Sequence, residues 1–340
     1  MSVVVRRAVG LLVSHATRGT SDAVSKRIPV LDLSKYTHGT PAERDGFIKA
    51  WGDGLTEFGF VSIINHGVDD ALIRRTYKDA EALFALPVDV KKKYFVPGGG
   101  GQRGYTPFGQ EHAKDRKVGD LKEFWHVGRD LPDGHTKRSI YGANLWPTEL
   151  ATFKANTLDL FHALDGAAAI MLQALADYFQ LPRPFFSDMA RDGNSILRII
   201  HYPPLKDMFI PGGVRAAEHE DINLITLLCE STSSGLEVLT RQNEWIAIDA
   251  LKGQIVVDSG DMLQRCTNGV VPSTTHRVVN PKSTDDDVVR YSMPFFVHPF
   301  PDCSLAINER FVSADRPKKF PDITADEFLK QRLREIGLIK

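Results

Sequence analysis

Ile196-Leu197-Arg198-Ile199-Ile200-His201-Tyr202 opens a run of short apolar segments. It continues through Ile222 to Cys229, Leu236 to Leu239, Trp245 to Ile248, Gln254 to Asp258 and Val288 to Val297. Closely spaced strands with turn signals and no helices between them specify an antiparallel sandwich or barrel. The half before residue 193 reads differently. Ile28 to Leu33 and Phe60 to Ile64 are strands. Residues 41–58, 69–86 and 148–180 carry apolar residues at helical spacing, with Gly59 and Pro87 as stops. The expected fold is mainly β with helices (α+β): a distorted jelly roll with a helical N-terminal half. The division is an extension over 1–27, a mixed region covering the site over 28–150, a long helix and catalytic core over 151–315, and a helical tail over 316–340.

Composition narrows the function. Lys and Arg number 42 and Asp and Glu 43, a net charge of -1 over 340 residues. No basic stripe stands out, so a small molecule is expected rather than nucleic acid. No membrane partner is expected, because no uninterrupted apolar run approaches the roughly 20 residues of a membrane span. The chain is expected to be a monomer or small homo-oligomer. The three cysteines, Cys229, Cys266 and Cys303, are far apart and form no Cys-x-x-Cys. That argues against a disulfide framework and for a reducing, cytoplasmic setting. Arg6, Arg7, Arg18 and Lys26 against the single acid Asp22 leave organellar targeting by residues 1–27 as the alternative. Gly98 to Gly101 lacks the Gly-Lys-Ser/Thr of a phosphate loop and reads as a surface loop or a substrate cover.

The chemistry concentrates in the β half. In extended backbone, residues i and i+2 share a side, so His219-Glu220-Asp221 places an imidazole beside a carboxylate. The next histidine, His276, lies several strands later, where a small β fold can return it to the first two. Two His and one carboxylate make a facial triad that leaves three octahedral positions open and suits Fe(II) that activates O2. Zinc hydrolases use similar ligands, commonly on a His-Glu-x-x-His helix that is absent here. Arg290 and Ser292 form a second same-face pair, an Arg fork plus a hydroxyl suited to a carboxylate. Tyr202 can donate to the same group.

These segments together resemble the isopenicillin N synthase-like branch of the Fe(II)/2-oxoglutarate-dependent oxygenases. The C-terminal likeness rests on Tyr202-Pro203, His219-x-Asp221, Ser259-Gly260-Asp261, His276-Arg277-Val278 and Arg290-x-Ser292. The N-terminal likeness rests on Ile28-Pro29-Val30 and on Gly59-Phe60 through Asn65-His66-Gly67-Val68. The stretches Ile196 to Pro203 and Val214 to His219 look nearest to thymine 7-hydroxylase-like and bacterial members. The resemblance implies a double-stranded β-helix, with His219, Asp221 and His276 holding Fe(II). Arg290 and Ser292, assisted by Tyr202, would bind the distal carboxylate of 2-oxoglutarate, and O2 would be the third cofactor. The implied reaction oxidises, most simply hydroxylates, a C–H bond of a small organic substrate and releases succinate and CO2. Plant members usually have Asn where this chain has Ile200. An oxidase of the same fold that takes no oxo acid, or a non-catalytic metal-dependent binding protein, are the alternatives. For the substrate, Phe296 lies on the face of Ser292 if the strand is regular. Arg103, Tyr105, Phe124 and Trp125 fall in the N-terminal segments that cover the metal in this family.

Overall fold

Thr40 starts the first long helix. Its side chain accepts from the Glu43 N–H, and the Glu43 carboxylate takes the Thr40 N–H in return, a capping box ahead of α1 (Pro41–Phe58). Gly59 ends that helix with φ of +68°. A Cβ there would lie 2.1 Å from Thr274 Oγ1, so only glycine both reverses the chain and admits the strand segment carrying His276. The computed structural model describes residues 27–111, 119–207, 213–248, 252–281 and 287–339. The readings placed on residues 1–26 lie outside them.

The helix α2 (Asp70–Ala85) is capped by Asp69. The helix α3 (Phe153–Tyr178) is shorter at its start than the periodicity of 148–180 predicts, because Leu150 N–H closes a turn on Pro147 C=O. By length and composition α3 passes for a membrane span. Its apolar residues serve the core instead: Leu160, Leu164, Met171, Leu172 and Leu175 are fully buried. Burying each such side chain stabilises the fold by roughly 1.5–3 kcal/mol.

Thirteen strands make two sheets among the described residues. They are β1 (Val30–Asp32), β2 (Phe60–Ile64), β3 (Gly104–Thr106), β4 (Glu123–Gly128), β5 (Ile196–Tyr202), β6 (Ala216–His219) and β7 (Ile225–Cys229). The remainder are β8 (Leu236–Leu239), β9 (Trp245–Ala247), β10 (Ile255–Ser259), β11 (His276–Val278), β12 (Arg290–Ser292) and β13 (Pro294–Val297). The large sheet runs β1-β2-β10-β7-β13-β5-β4-β3, with β12 also on β5; the small sheet runs β6-β11-β8-β9. This is the jelly roll expected, with β1 to β4 of the N-terminal half added to the large sheet. The segment Val288 to Val297, read as one strand, divides at Met293. β12 pairs β5 alone, whereas β13 opens on Pro294 and pairs both β5 and β7. The helix α4 (Asp261–Cys266) follows β10, and α5 (Ala325–Glu335), capped by Thr324 and Glu327, closes the chain over one end of the sandwich.

Candidate metal centre and active site

The small sheet brings His219 and His276 face to face. They are direct partners in the antiparallel β6–β11 pair, and their ring centroids are 4.4 Å apart. Asp221 follows β6 in a turn fastened to the next motif. Asp261 N–H donates to Asp221 C=O at 2.8 Å, and Gly260 packs so closely that a Cβ would lie 2.4 Å from Asn223 O. One ligand atom from each of His219, Asp221 and His276 lies within 4.8 Å of the others.

The donor chemistry fits a cation. His219 Nδ1 meets Ala217 C=O at 2.6 Å and His276 Nδ1 meets Thr274 C=O at 3.2 Å. Carbonyls accept only, so both Nδ1 atoms carry the proton and each Nε2 keeps its lone pair. Asp221 Oδ2 takes the Thr226 hydroxyl, while Oδ1 faces His276 Nε2 at 3.8 Å. Burial, then His219 beside it, hold His276 neutral, as a ligand must be. Behind Thr226, its cross-strand partner Asp258 is buried with one carboxylate oxygen unpartnered. Burial and then Asp221 push the Asp258 carboxyl up, the sign of a negative field that a dication would relieve.

Two cavities meet at this triad. His219, Asp221, Arg198, Lys122 and Phe296 line both. The smaller is closed by Arg290, Ser292 and Tyr202. Register explains their convergence, since Arg290 sits opposite Tyr202 and Ser292 opposite Ile200 on β5. Arg290 is 1% exposed and its guanidinium lies 5.0 Å from the Tyr202 ring centre. Its Nε donates to Ser233 C=O at 3.2 Å, but Nη1 has no partner. A buried cation with a free donor calls for an anion. Ile200 supplies an apolar wall, with Phe124, Ala216 and Val278 in the same cluster.

The larger cavity, about 130 Å³, extends from the triad to α5, where Leu329, Arg332 and Leu333 form a wall. Phe296 lines it, as expected for a residue on the Ser292 face. Arg103, Tyr105, Phe124 and Trp125, expected in the segments that cover the metal, are not among the residues that line it. Strand alternation is the reason. Lys122, just before β4, shares one side of the strand with Phe124 and His126, while Glu123, Trp125 and Val127 face the helices. Trp125 packs edge-on to Phe153, and Tyr105 on the same side donates to Glu123 Oε2 at 2.5 Å. Arg103 turns away over Gly128 and donates to Gln102 C=O and Asn194 Oδ1. Phe124 stands behind Arg198, whose guanidinium lies 4.2 Å from its ring centre.

Sequence reasoning missed the charged wall of this cavity. Arg198 holds Glu111 through two nitrogens at 3.0 and 2.9 Å, and Lys122 joins Glu111 at 2.8 Å and Asp120 at 2.7 Å. Although burial raises it, Glu111 is held well below the usual carboxylate range by Arg198 and Lys122. Lys122→Met leaves two buried carboxylates short of a partner. The expected loss is about 3 kcal/mol of folding stability, read as a lower urea midpoint with unchanged slope.

Two histidines of this wall are buried neutral. Burial, then Arg198, lower His126; its Nδ1–H donates to Gly101 C=O at 2.5 Å and its Nε2 accepts from Arg198 Nε at 2.6 Å. Burial takes His298 down to about 4. In the unfolded chain both return to near 6.5, so below that pH the unfolded state binds more protons and stability falls with pH. His298 alone should lower stability by about 2 kcal/mol between pH 7 and pH 5. Denaturant midpoints at the two pH values check the sign.

Comparison with known proteins bears on this arrangement. Residues 28–149 match the family model for the non-haem dioxygenase in morphine synthesis N-terminal region, and residues 193–299 match that of the 2OG-Fe(II) oxygenase superfamily. A 2-oxoglutarate-Fe(II) type oxidoreductase of Metarhizium majus is 30% identical over 331 residues, spanning 91% of this chain and 95% of that protein. A 2OG-Fe(II) oxygenase family protein from Caulobacter crescentus shares 44% identity at a TM-score of 0.81, over 90% of this chain and 98% of that one. Thymine 7-hydroxylase from Neurospora crassa, solved with alpha-KG, shares 28% identity at a TM-score of 0.80, over 90% and 96%.

Proposed function

The chain belongs to the 2OG-Fe(II) oxygenase superfamily and is a 2-oxoglutarate-dependent oxygenase, and from that premise we propose how its own residues divide the work. His219, Asp221 and His276 hold Fe(II). Arg290 and Ser292, with Tyr202, seat the distal carboxylate of 2-oxoglutarate. The cavity under α5 takes a small organic substrate, which is hydroxylated. The observation that carries this reading is the meeting of two cavities at one triad, one ending on a buried Arg with an unpartnered nitrogen and the other opening under α5 beside Phe296 and Leu333.

When bound, the iron and oxo acid together supply O2 activation with release of succinate and CO2. The protein positions and encloses. Arg290 neutralises the distal carboxylate in a dry pocket, where a charge-assisted bond is strong. Thr226 and the two backbone carbonyls fix the directions of the three ligands. Phe296 and α5 keep water from the reacting C–H bond and hold the substrate against the open side of the triad.

The test is a screen of small cyclic and acyclic substrates for stimulated succinate release with Fe(II), ascorbate and 2-oxoglutarate. The expected result is release that depends on both iron and 2-oxoglutarate and rises several-fold with a productive substrate. Oxidation of a substrate without any need for 2-oxoglutarate would overturn the assignment of Arg290.

A further inference from the structure

Lys122 lines both cavities, together with His219, Asp221, Arg198 and Phe296. It therefore stands where the pocket that ends on Arg290 opens on the triad. The inference here rests on the reading of that pocket given above. Lys122 is 6% exposed. Its ammonium group donates to Glu111 at 2.8 Å and to Asp120 at 2.7 Å. Although burial lowers it, Asp120 and Glu111 hold the ammonium charged, above the ordinary lysine range. An ammonium carries three N–H donors, and among the described residues no group accepts the third.

The other groups at this junction are engaged. Arg198 uses all three guanidinium nitrogens, on His126 and on both oxygens of Glu111. The rings of Phe124 and Phe296 lie against it, with centres 4.2 and 5.1 Å away. His219 and Asp221 are ligands, and Phe296 is apolar. At the far end of the pocket, Arg290 has its unpartnered nitrogen. The pocket thus offers a cationic donor at each end. A buried ammonium hydrogen bonds most strongly to an anion. A dicarboxylate satisfies both ends, whereas a monocarboxylate would leave one donor unpaired.

We propose that Lys122 is a second cationic contact for 2-oxoglutarate, donating its third N–H to the near carboxylate while Arg290 holds the distal one. The near carboxylate is the one that leaves as CO2. Glu111 and Asp120 are then positioning residues, because they fix the Lys122 nitrogen before the co-substrate arrives. Little side-chain freedom remains to be lost on binding, which favours affinity.

The experiment is calorimetric titration of the protein loaded with Mn(II), which holds the site without turnover. The probes are 2-oxoglutarate, 2-oxobutyrate and 4-oxopentanoate, the weaker two read by competition with the first. 2-Oxobutyrate keeps the keto group and the near carboxylate but lacks the distal one. 4-Oxopentanoate keeps the keto group and the distal carboxylate but lacks the near one. Lys122→Gln should weaken 2-oxoglutarate and 2-oxobutyrate by about ten-fold or more, and 4-oxopentanoate by less than about two-fold. Arg290→Leu should give the reverse pattern and spare 2-oxobutyrate. A packing defect would weaken all three alike. Asp120→Asn keeps an acceptor for Ala217 N–H and withdraws a negative charge from Lys122. It should tighten 2-oxoglutarate and 2-oxobutyrate, and it tests the same contact if Lys122→Gln does not fold. Unchanged 2-oxoglutarate affinity in Lys122→Gln, an equal loss on 4-oxopentanoate, or unchanged or weaker 2-oxoglutarate binding in Asp120→Asn would each overturn the proposal. If the wild type binds no 2-oxoglutarate, the reading of the pocket fails first.

Discussion

Arg290→Leu raises the 2-oxoglutarate concentration for half-maximal succinate release by about 100-fold or more, equivalent to ~3 kcal/mol. The guanidinium is 1% exposed, carries an unpartnered nitrogen, and closes the smaller cavity opposite the triad. Its removal leaves the far carboxylate of the co-substrate buried without a counter-charge. Arg290→Lys keeps the charge but loses the fork, so its loss should be smaller and still at least about ten-fold. The measurement is the dependence of succinate release on 2-oxoglutarate at saturating iron. Unchanged dependence in the Leu variant would remove Arg290 from the site.

Alanine at His219, Asp221 or His276 lowers metal affinity more than about 100-fold, beyond what loss of an outer hydrogen-bond partner produces. Thr226→Val is such an outer loss: Asp221 Oδ2 keeps its place but forfeits the hydroxyl that directs it, so a drop of about ten-fold is expected. Titration of Mn(II) followed by electron paramagnetic resonance reads both effects without turnover. Equal affinity in wild type and the His276→Ala variant would show that the cation sits elsewhere. The graded series matters, because a general packing defect would not separate the ligand from the residue behind it.

Much of this site was legible because strands have a period of two. His219 with Asp221 and Arg290 with Ser292 each lie two apart, and the structure places all four, with His276 and Tyr202, around one pocket. The same rule, applied one strand earlier, would have separated Phe124 from Trp125. Adjacent residues on β4 cannot both face the cavity, and the partners of Phe124 on its face are Lys122 and His126. Glu111 and Asp120 were beyond reach for a different reason. They lie in loops, where no periodicity aims a side chain, and only the fold brings Glu111 to Arg198. The tail was read as helical, but its apolar face gave no sign of its neighbour. Leu329 and Leu333 wall the cavity because α5 folds back over the sandwich, a contact with no local signature. Gln102 stood beside a run of glycines that fitted no known loop, and a lone polar residue there is unremarkable until its carbonyl is found buried and unpaired.

The pairing of His219 directly across from His276 gives a bound cation a mechanical role as well as a chemical one. A metal held by both acts as a removable staple between two strands far apart in sequence. Slippage of β11 by one residue would turn His276 to the opposite face and break the coordination, so the ion also serves as a gauge of correct strand alignment. Loading the centre should therefore close a long loop of chain and slow amide exchange across the whole small sheet, well beyond the three ligands. In this sense the enzyme's readiness for chemistry and the proofreading of its smaller sheet are one event.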